Sequence, residues 1–457
     1  MLVYGIPMIA SLGGALLSLI PGLSFEEAVS ALAATAASAA SVALLFLPDF
    51  SGGFLYVDGL SKILLLSISL VYLATVLYSI TFLKYIANPL FRKRTFYFLL
   101  DAFAFTMLFT VSVANLGLAW VGIEATTVTS ALLVATENDE TAIEASWRYV
   151  IIVSAGLVVS LIATIFLYRA ADTLDLPALL RSRPTGLALR LGLFLGIVGY
   201  GTKAGVFPMN TWLPDVHGKA PSPVSAIFSG VLLPVAMYAI ARLFQIAPSS
   251  GSGRIFGLTL GFLSLGTAAF LMAAQRDYKR LFAYSTIENM GMILIGLSVG
   301  GVAAVGAMVI LVAHAFAKSA MFFLSGNLLS RYGSTEIGAV RGLRSRMPRT
   351  GYSLLFGSLA ITGAPPFGIF VGEIMIVGAL FAGGYPLLAI GALLLLALAF
   401  LAVNYRVVRM VFSPAEGGLV ERGQVGTLVP IACLVLSALA VLAVPEIAHL
   451  VRGVFGL

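Results

Sequence analysis

The sequence predicts an all-α integral membrane protein of about fourteen transmembrane helices. Two observations carry this reading. Of the 457 residues, 60% are hydrophobic and only 10% charged, where soluble domains carry about a quarter charged residues. The apolar stretches also run unbroken for about 20 residues, enough to cross a ~30 Å hydrocarbon core at ~1.5 Å per residue. A transmembrane β-barrel would instead show short alternating segments with a polar lumen face. Polar sequence is too sparse to cover several water-facing domains, so the chain reads as one large bundle.

Apolar runs set against turn signals place spans near 4–22, 28–47, 60–83, 96–114, 116–136, 147–168, 188–213, 222–244, 255–274, 281–299, 302–329, 352–381, 385–411 and 428–451. The first stretch has no cationic start and no small-residue cleavage site, so it reads as a spanning helix and not as a removed signal. The seventh span is interrupted at Pro208, within Gly199-Tyr-Gly-Thr-Lys-Ala-Gly-Val-Phe-Pro208. The twelfth is interrupted at Pro365 and Pro366, within Ala360-Ile-Thr-Gly-Ala-Pro-Pro-Phe-Gly368. Proline removes a helix hydrogen bond, and in lipid the freed carbonyls need protein or water partners. Each break is a simple kink or the lining of a hydrated cavity. Two interrupted helices five spans apart are the pattern of an inverted repeat around an ion path. The chain then divides into a three-helix segment over 1–95, a first five-helix repeat over 96–246, a second, inverted repeat over 252–412 and a last helix over 413–457.

Charge patterning gives an orientation. One set of alternate connections carries Lys84, Arg92, Lys93, Arg94, Arg148, Lys219, Arg276, Lys279, Arg280, the arginines from 331 to 349, Arg406, Arg409 and Arg422. The opposite set carries Lys62, Arg169, Arg181, Arg183, Arg190, Arg242, Arg254 and Arg452. The richer set is expected on the cytoplasmic side of the plasma (inner) membrane, with both termini outside. The net charge of +7 follows from this arrangement, and nucleic acid is not an expected partner. Cys433 is the only cysteine, so the chain has no internal disulfide, no iron–sulfur cluster and no thiolate zinc site. His217, His314 and His449 are too scattered for a metal cage, and no dinucleotide or phosphate-binding loop is visible.

A charge inside a span costs at least ~2.5 kcal/mol on insertion scales, so each retained one is a functional candidate. Glu124 lies about half a span from either end of its run, and Lys203 sits just before the break at Pro208. His314 and Lys318 are four residues apart and share a helix face. Glu373 follows the second break. A Glu124–Lys203 pair at ~4 Å and an effective dielectric of about 20 would be worth ~4 kcal/mol. Closing it holds a proton on the lysine and opening it lets the proton go; a static pair would only fix helix register. His314 serves as a relay or as a core histidine bonded to a carbonyl. Asp215 and His217, in the polar loop from Asn210 to Ser225, collect protons at a cytoplasmic entrance or cap the flanking helices. Asp101 and Arg148 read as interface anchors near span ends.

The stretch from Gly201-Thr-Lys-Ala-Gly-Val-Phe-Pro208 through Asn210-Thr-Trp-Leu-Pro-Asp-Val-His217 to Ser229-Gly230 resembles the signature of the antiporter-like subunits of respiratory complex I, of Mrp-type cation/proton antiporters and of membrane-bound hydrogenases. Gln275-Arg-Asp-Tyr-Lys-Arg280, His314-Ala-Phe-Ala-Lys318 and Gly363-Ala-Pro-Pro-Phe-Gly-Ile-Phe-Val-Gly-Glu373 most resemble its hydrogenase-4 component F branch, and the resemblance covers roughly residues 55 to 412. It implies a fourteen-helix fold with two inverted five-helix repeats and a row of buried ionisable residues at mid-depth. Glu124 and Lys203 then match the family's glutamate–lysine pair, His314 and Lys318 its central relay, and Glu373 its terminal residue near the outer exit. Many relatives have a lysine where this chain has Pro234. The link from Lys203 to Lys318 then runs through water or His314, or the path is incomplete.

The function expected from this resemblance is proton translocation, or exchange of protons for Na⁺, within a redox-driven complex such as a membrane-bound hydrogenase, a formate hydrogenlyase or a complex I-like quinone oxidoreductase. The expected partners are other membrane-arm subunits and a peripheral redox arm. The chain holds no cofactor of its own, and nickel–iron and iron–sulfur centres belong to those partners. Two rivals stand beside this: an Mrp-type antiporter subunit with no redox partner, and a scaffold that fills the membrane arm without conducting.

Overall fold

The computed structural model describes residues 2–20, 25–86, 89–248, 250–414, 421 and 425–455. The end of the expected first span at 21–22 and Arg422 lie outside them. The chain opens with helices α1 (Leu2–Ser18) and α2 (Glu26–Leu45), a hairpin of β1 (Phe50–Gly52) and β2 (Leu55–Val57), and α3 (Gly59–Phe82). Helices α4 (Lys93–Ser112), α5 (Leu116–Val134), α6 (Glu140–Ala171), the short α7 (Leu176–Ser182), α8 (Leu187–Ala204) and α9 (Trp212–Lys219) follow. Next come α10 (Ser222–Ile227), α11 (Leu233–Ile246), α12 (Gly251–Ala274), α13 (Tyr278–Val299) and α14 (Val302–Tyr332). The last are α15 (Leu343–Arg346), α16 (Pro348–Ile361), α17 (Gly368–Ala382), α18 (Pro386–Phe412), α19 (Val425–Leu439) and α20 (Val444–Phe455).

Among the described residues, eleven helical segments are long and apolar enough to cross a membrane, and twelve if α19 and α20, bent by 67°, count as one. The chain is therefore a multi-pass membrane protein, but length and composition do not reproduce the fourteen spans expected. The shortfall falls on α1 and α17, apolar helices of 17 and 15 residues. The second is short because the chain is broken at Pro365–Pro366, so α16 and α17 each supply only part of a crossing.

Apolarity alone does not decide which helices are central, because most are apolar all round. The most apolar stretch of α14 is wholly enclosed by protein, while α18 buries 28% of its own. In lipid, close packing is bought chiefly with small residues. Gly199 of α8 lies against the Gly156 carbonyl of α6 at 2.8 Å, measured from where a Cβ would stand, and Gly306 of α14 against the Gly372 carbonyl of α17 at 2.8 Å. These seams fix the helices that carry Lys203, His314, Lys318 and Glu373. The order of packing also recurs along the chain: α4 on α5, α5 on α6 and α6 on α8, then α12 on α13, α13 on α14 and α14 on α17.

Two charged groups lie deeper than the sequence suggests. Asp101 is not an interface anchor. It is fully buried in the third turn of α4, where it accepts hydrogen bonds from Ser30 and from Tyr72 at 2.5 Å. Helix α4 begins at Lys93, three residues before the expected start, which brings position 101 against α1 and α2. Arg242 is also buried. Its guanidinium forks onto Asp58 with two bonds of 2.6 Å and lies over the rings of Tyr238 and Tyr56. Asp58 in turn caps α3 through the Ser61 N–H at 3.0 Å, so one pair joins the hairpin, α3 and α11. Arg242→Met would leave a buried carboxylate unpaired. It should cost about 3–5 kcal/mol, read as an earlier unfolding midpoint in denaturing detergent.

Candidate functional site

Helix α8 ends on Ala204 because Gly205 takes a left-handed conformation (φ +73°), and Val206 N–H closes the end by bonding the Gly201 carbonyl at 2.8 Å. Lys203 thus occupies the last turn, where the negative end of the helix dipole favours a cation. The Thr202 carbonyl receives Trp212 Nε1 at 2.9 Å. The ammonium of Lys203 is fully buried and donates to Thr127 Oγ1 at 2.8 Å and to Tyr149 Oη at 2.6 Å.

Glu124 stands one helical turn before Thr127 on α5 and accepts from Ser154 Oγ at 2.9 Å, while its Oε2 has no partner. Among the described residues Lys203 has no carboxylate within 4.0 Å. The expected direct pair is therefore open, and Thr127, one turn along α5 from Glu124, takes the ammonium instead. Tyr149 also exchanges a hydrogen bond of 2.7 Å with Ser130 and packs on Trp212 and Phe228.

The middle of the molecule is organised by a five-residue π turn, Phe228–Leu232, between α10 and α11. In it Leu233 N–H reaches back to the Phe228 carbonyl. The next N–H would belong to residue 234, which is proline and has none. The Ser229 carbonyl is left without an intrahelical donor, and His314 Nε2 fills it at 3.1 Å. The Nε2–H tautomer follows, with Nδ1 left as a free acceptor. Pro234 thereby docks the histidine. Ser229 Oγ further shares a 2.7 Å bond with Thr286 Oγ1 of α13.

One turn along α14, the buried Lys318 donates to Ser285 Oγ at 2.7 Å and to the Phe282 carbonyl at 3.0 Å. Ser285 passes a hydrogen bond to the Ile361 carbonyl at 3.4 Å, which Asn289 also caps at 3.2 Å. Ile361 is the last residue of α16, so these α13 side chains satisfy a carbonyl freed by the second break. Between Ser285 and Asn289 sits Glu288, 1% exposed and bonded by Asn289 Nδ2 at 3.0 Å. It lies within electrostatic reach of Lys318 on one side and Glu373 on the other. Glu373 is buried, and its carboxylate presses on Gly363 (φ +64°), where any side chain would overlap it. It borders a cavity of about 410 Å³ lined by Thr362, Phe370 and Phe400.

The two entrance candidates separate. Asp215 stands in a charged cleft of about 440 Å³ with Arg148, Lys219 and Arg280, ion-paired with Arg280 at 3.2 Å and with Arg148 at 3.8 Å. His217 is not at the entrance. It is fully buried, stacked on Phe322 at 4.7 Å, facing Phe228, with both ring nitrogens unpartnered. Two residues along a helix turn the side chain through about 200°, so Asp215 faces the cleft and His217 the core. Neither residue makes a side-chain cap to a helix end. Sequence reasoning left Glu288 unassigned, although its place in a buried, apolar span carried the same signal as Glu124.

Residues 113–399 match the transmembrane family described as NADH:quinone oxidoreductase/Mrp antiporter. The chain is 33% identical over 427 residues to the hydrogenase-4 component F homolog of Methylacidiphilum infernorum, covering 89% of each protein. Its fold is that of a subunit of the archaeal membrane-bound sulfane sulfur reductase (TM-score 0.88, 22% identity, 99% and 96% of the two chains). It is also that of a subunit of respiratory complex I from Thermus thermophilus (TM-score 0.85, 23% identity, 99% and 97%). With a family match over most of its length and a full-length relative, this chain belongs to the membrane subunits of the NADH:quinone oxidoreductase/Mrp antiporter family.

Proposed function

We propose that the chain is a proton-translocating subunit in the membrane arm of a redox-linked complex, moving protons alone or in exchange for Na⁺. The observation that carries this reading is the row of ionisable groups from Glu124 through Lys203, His217, His314, Lys318 and Glu288 to Glu373, with both helix breaks beside its members. A set of static ion pairs would pair each charge directly. Here both lysines are held by hydroxyls and a carbonyl, with carboxylates one turn away. Such lysines lose and regain a proton through small movements of the neighbouring acid.

In this reading residues 96–246 and 252–412 are the two copies of an inverted repeat, and each supplies one lysine and its acid. Between the copies stand His217 and His314, with the ring of Phe228 separating Tyr149 from His217. His314 bridges the region that a lysine at position 234 would serve. Asp215 and its cleft are the cytoplasmic mouth, and Glu373 with its cavity is the outer end. Electron transfer in a peripheral arm, whose nickel–iron or iron–sulfur centres belong to other subunits, drives the cycle by shifting the Glu124–Lys203 equilibrium. The plasma membrane is the proposed location, with the arginine-rich ends of the helices in the cytoplasm and both termini outside.

Replacing Lys203 by alanine in the intact complex should lower ions moved per electron by at least about tenfold. Unchanged ion movement would instead make the chain a scaffold. Glu288→Gln should reproduce the transport loss of Lys318→Ala, measured as proton uptake into proteoliposomes, because both remove the same half of a pair. Pro234→Ala restores an N–H that competes for the backbone carbonyl now held by His314. Transport should fall several-fold in that variant, with the assembly intact on native gels.

A further inference from the structure

We infer that a pocket at the arginine-rich ends of α12 and α18 binds the phosphodiester headgroup of an anionic phospholipid. The pocket measures about 380 Å³ and brings together Arg276, Arg341, Arg406 and Arg409 with, among the described residues, one carboxylate, Glu336. Among the described residues none of the four arginines has a carboxylate within 4.0 Å. Four cations gathered beside one acid are complementary to a group of more than one negative oxygen.

The walls are built rather than loose. Ile337 N–H bonds the Arg276 carbonyl at 2.8 Å, tying the segment after α14 to the start of α13. Arg406 Nε bonds the Gln275 carbonyl at 3.0 Å and Nη1 the Ala402 carbonyl at 2.8 Å, so it links α18 to the end of α12. Arg409 lies over the Tyr405 ring at 5.7 Å. Arg341 uses one donor on the Gly338 carbonyl at 3.0 Å. The remaining donors of Arg276, Arg341 and Arg409 are available to an anion.

What selects a lipid over a free anion is the surface beside the pocket. Phe270 of α12 and Leu401 of α18 are exposed and lie on the mid-span side of the arginines along their helices, and Val408 and Phe412, level with and just past Arg409, are exposed as well. A headgroup seated among the arginines would lay its acyl chains on that surface, as basic pockets between transmembrane helices do with anionic lipids.

The test uses the full-length protein, purified in neutral detergent and offered an equimolar mixture of phosphatidylglycerol and phosphatidylcholine, with retained lipid read by native mass spectrometry. The wild-type protein should retain phosphatidylglycerol over phosphatidylcholine by at least about tenfold. The triple variant Arg276→Gln, Arg341→Gln, Arg409→Gln should lose that preference, with thermal stability in phosphatidylcholine nanodiscs unchanged. Arg406 is left in place because it joins two helices. Should the triple variant not fold, Arg409→Gln alone should weaken the preference several-fold. Equal retention of the two lipids by the wild-type protein, or an unaltered preference in the folded variants, overturns the proposal. So does displacement of the lipid by millimolar inorganic phosphate, which would make this a free-anion site, or a protein subunit found over the pocket in the purified assembly.

Discussion

The arrangement of this protein follows from one constraint: a backbone carbonyl released inside a membrane must find a donor within the protein. Three departures from regular helix are answered this way. The Thr202 carbonyl at the first break takes Trp212, and the Ile361 carbonyl at the second takes Ser285 and Asn289. The Ser229 carbonyl of the π turn takes His314. The polar side chains at these breaks are therefore placed by the backbone. They complete the backbone where it is broken, and in doing so they come to lie beside Lys203, Lys318 and Glu288. In the proposed function, structural necessity and ion chemistry share the same residues.

Much of this could be read from the sequence because charge in an apolar run is costly and so conspicuous. Glu124, Lys203, His314, Lys318 and Glu373 stood out for that reason, and the breaks at Pro208 and Pro365–Pro366 were visible as prolines in otherwise continuous spans. What could not be read was which way a side chain points. Asp215 and His217 sit two residues apart in the same polar loop, yet one faces a charged cleft and the other the core. Asp101 looked like a residue at a span end, and a three-residue shift in the start of α4 placed it in the interior. Periodicity gives little help here, since helices that are apolar all round carry no stripe to set their rotation.

Proline at position 234 shapes the chemistry around it through the backbone. A lysine would have carried charge at that point. Proline instead removes an N–H, exposes the Ser229 carbonyl and recruits a histidine from α14. The histidine's other nitrogen is left as an acceptor, so a group able to exchange protons is retained on the neighbouring helix. In the proposed function His314 then serves as the middle member of the row.

The enclosure of α14 bears on how the chain is made. One flank of this helix rests on α3, α10 and α13, which leave the ribosome earlier; the other is covered by α16, α17, α19 and α20, which leave it later. For an interval during synthesis the newly inserted helix, with a histidine and a lysine on one face, stands half covered beside lipid or the insertion machinery. Its last neighbours arrive only when the chain is nearly finished, so the centre that holds His314 and Lys318 is sealed at the end of translation, and truncated chains would be left with an open seam down the helix that carries them.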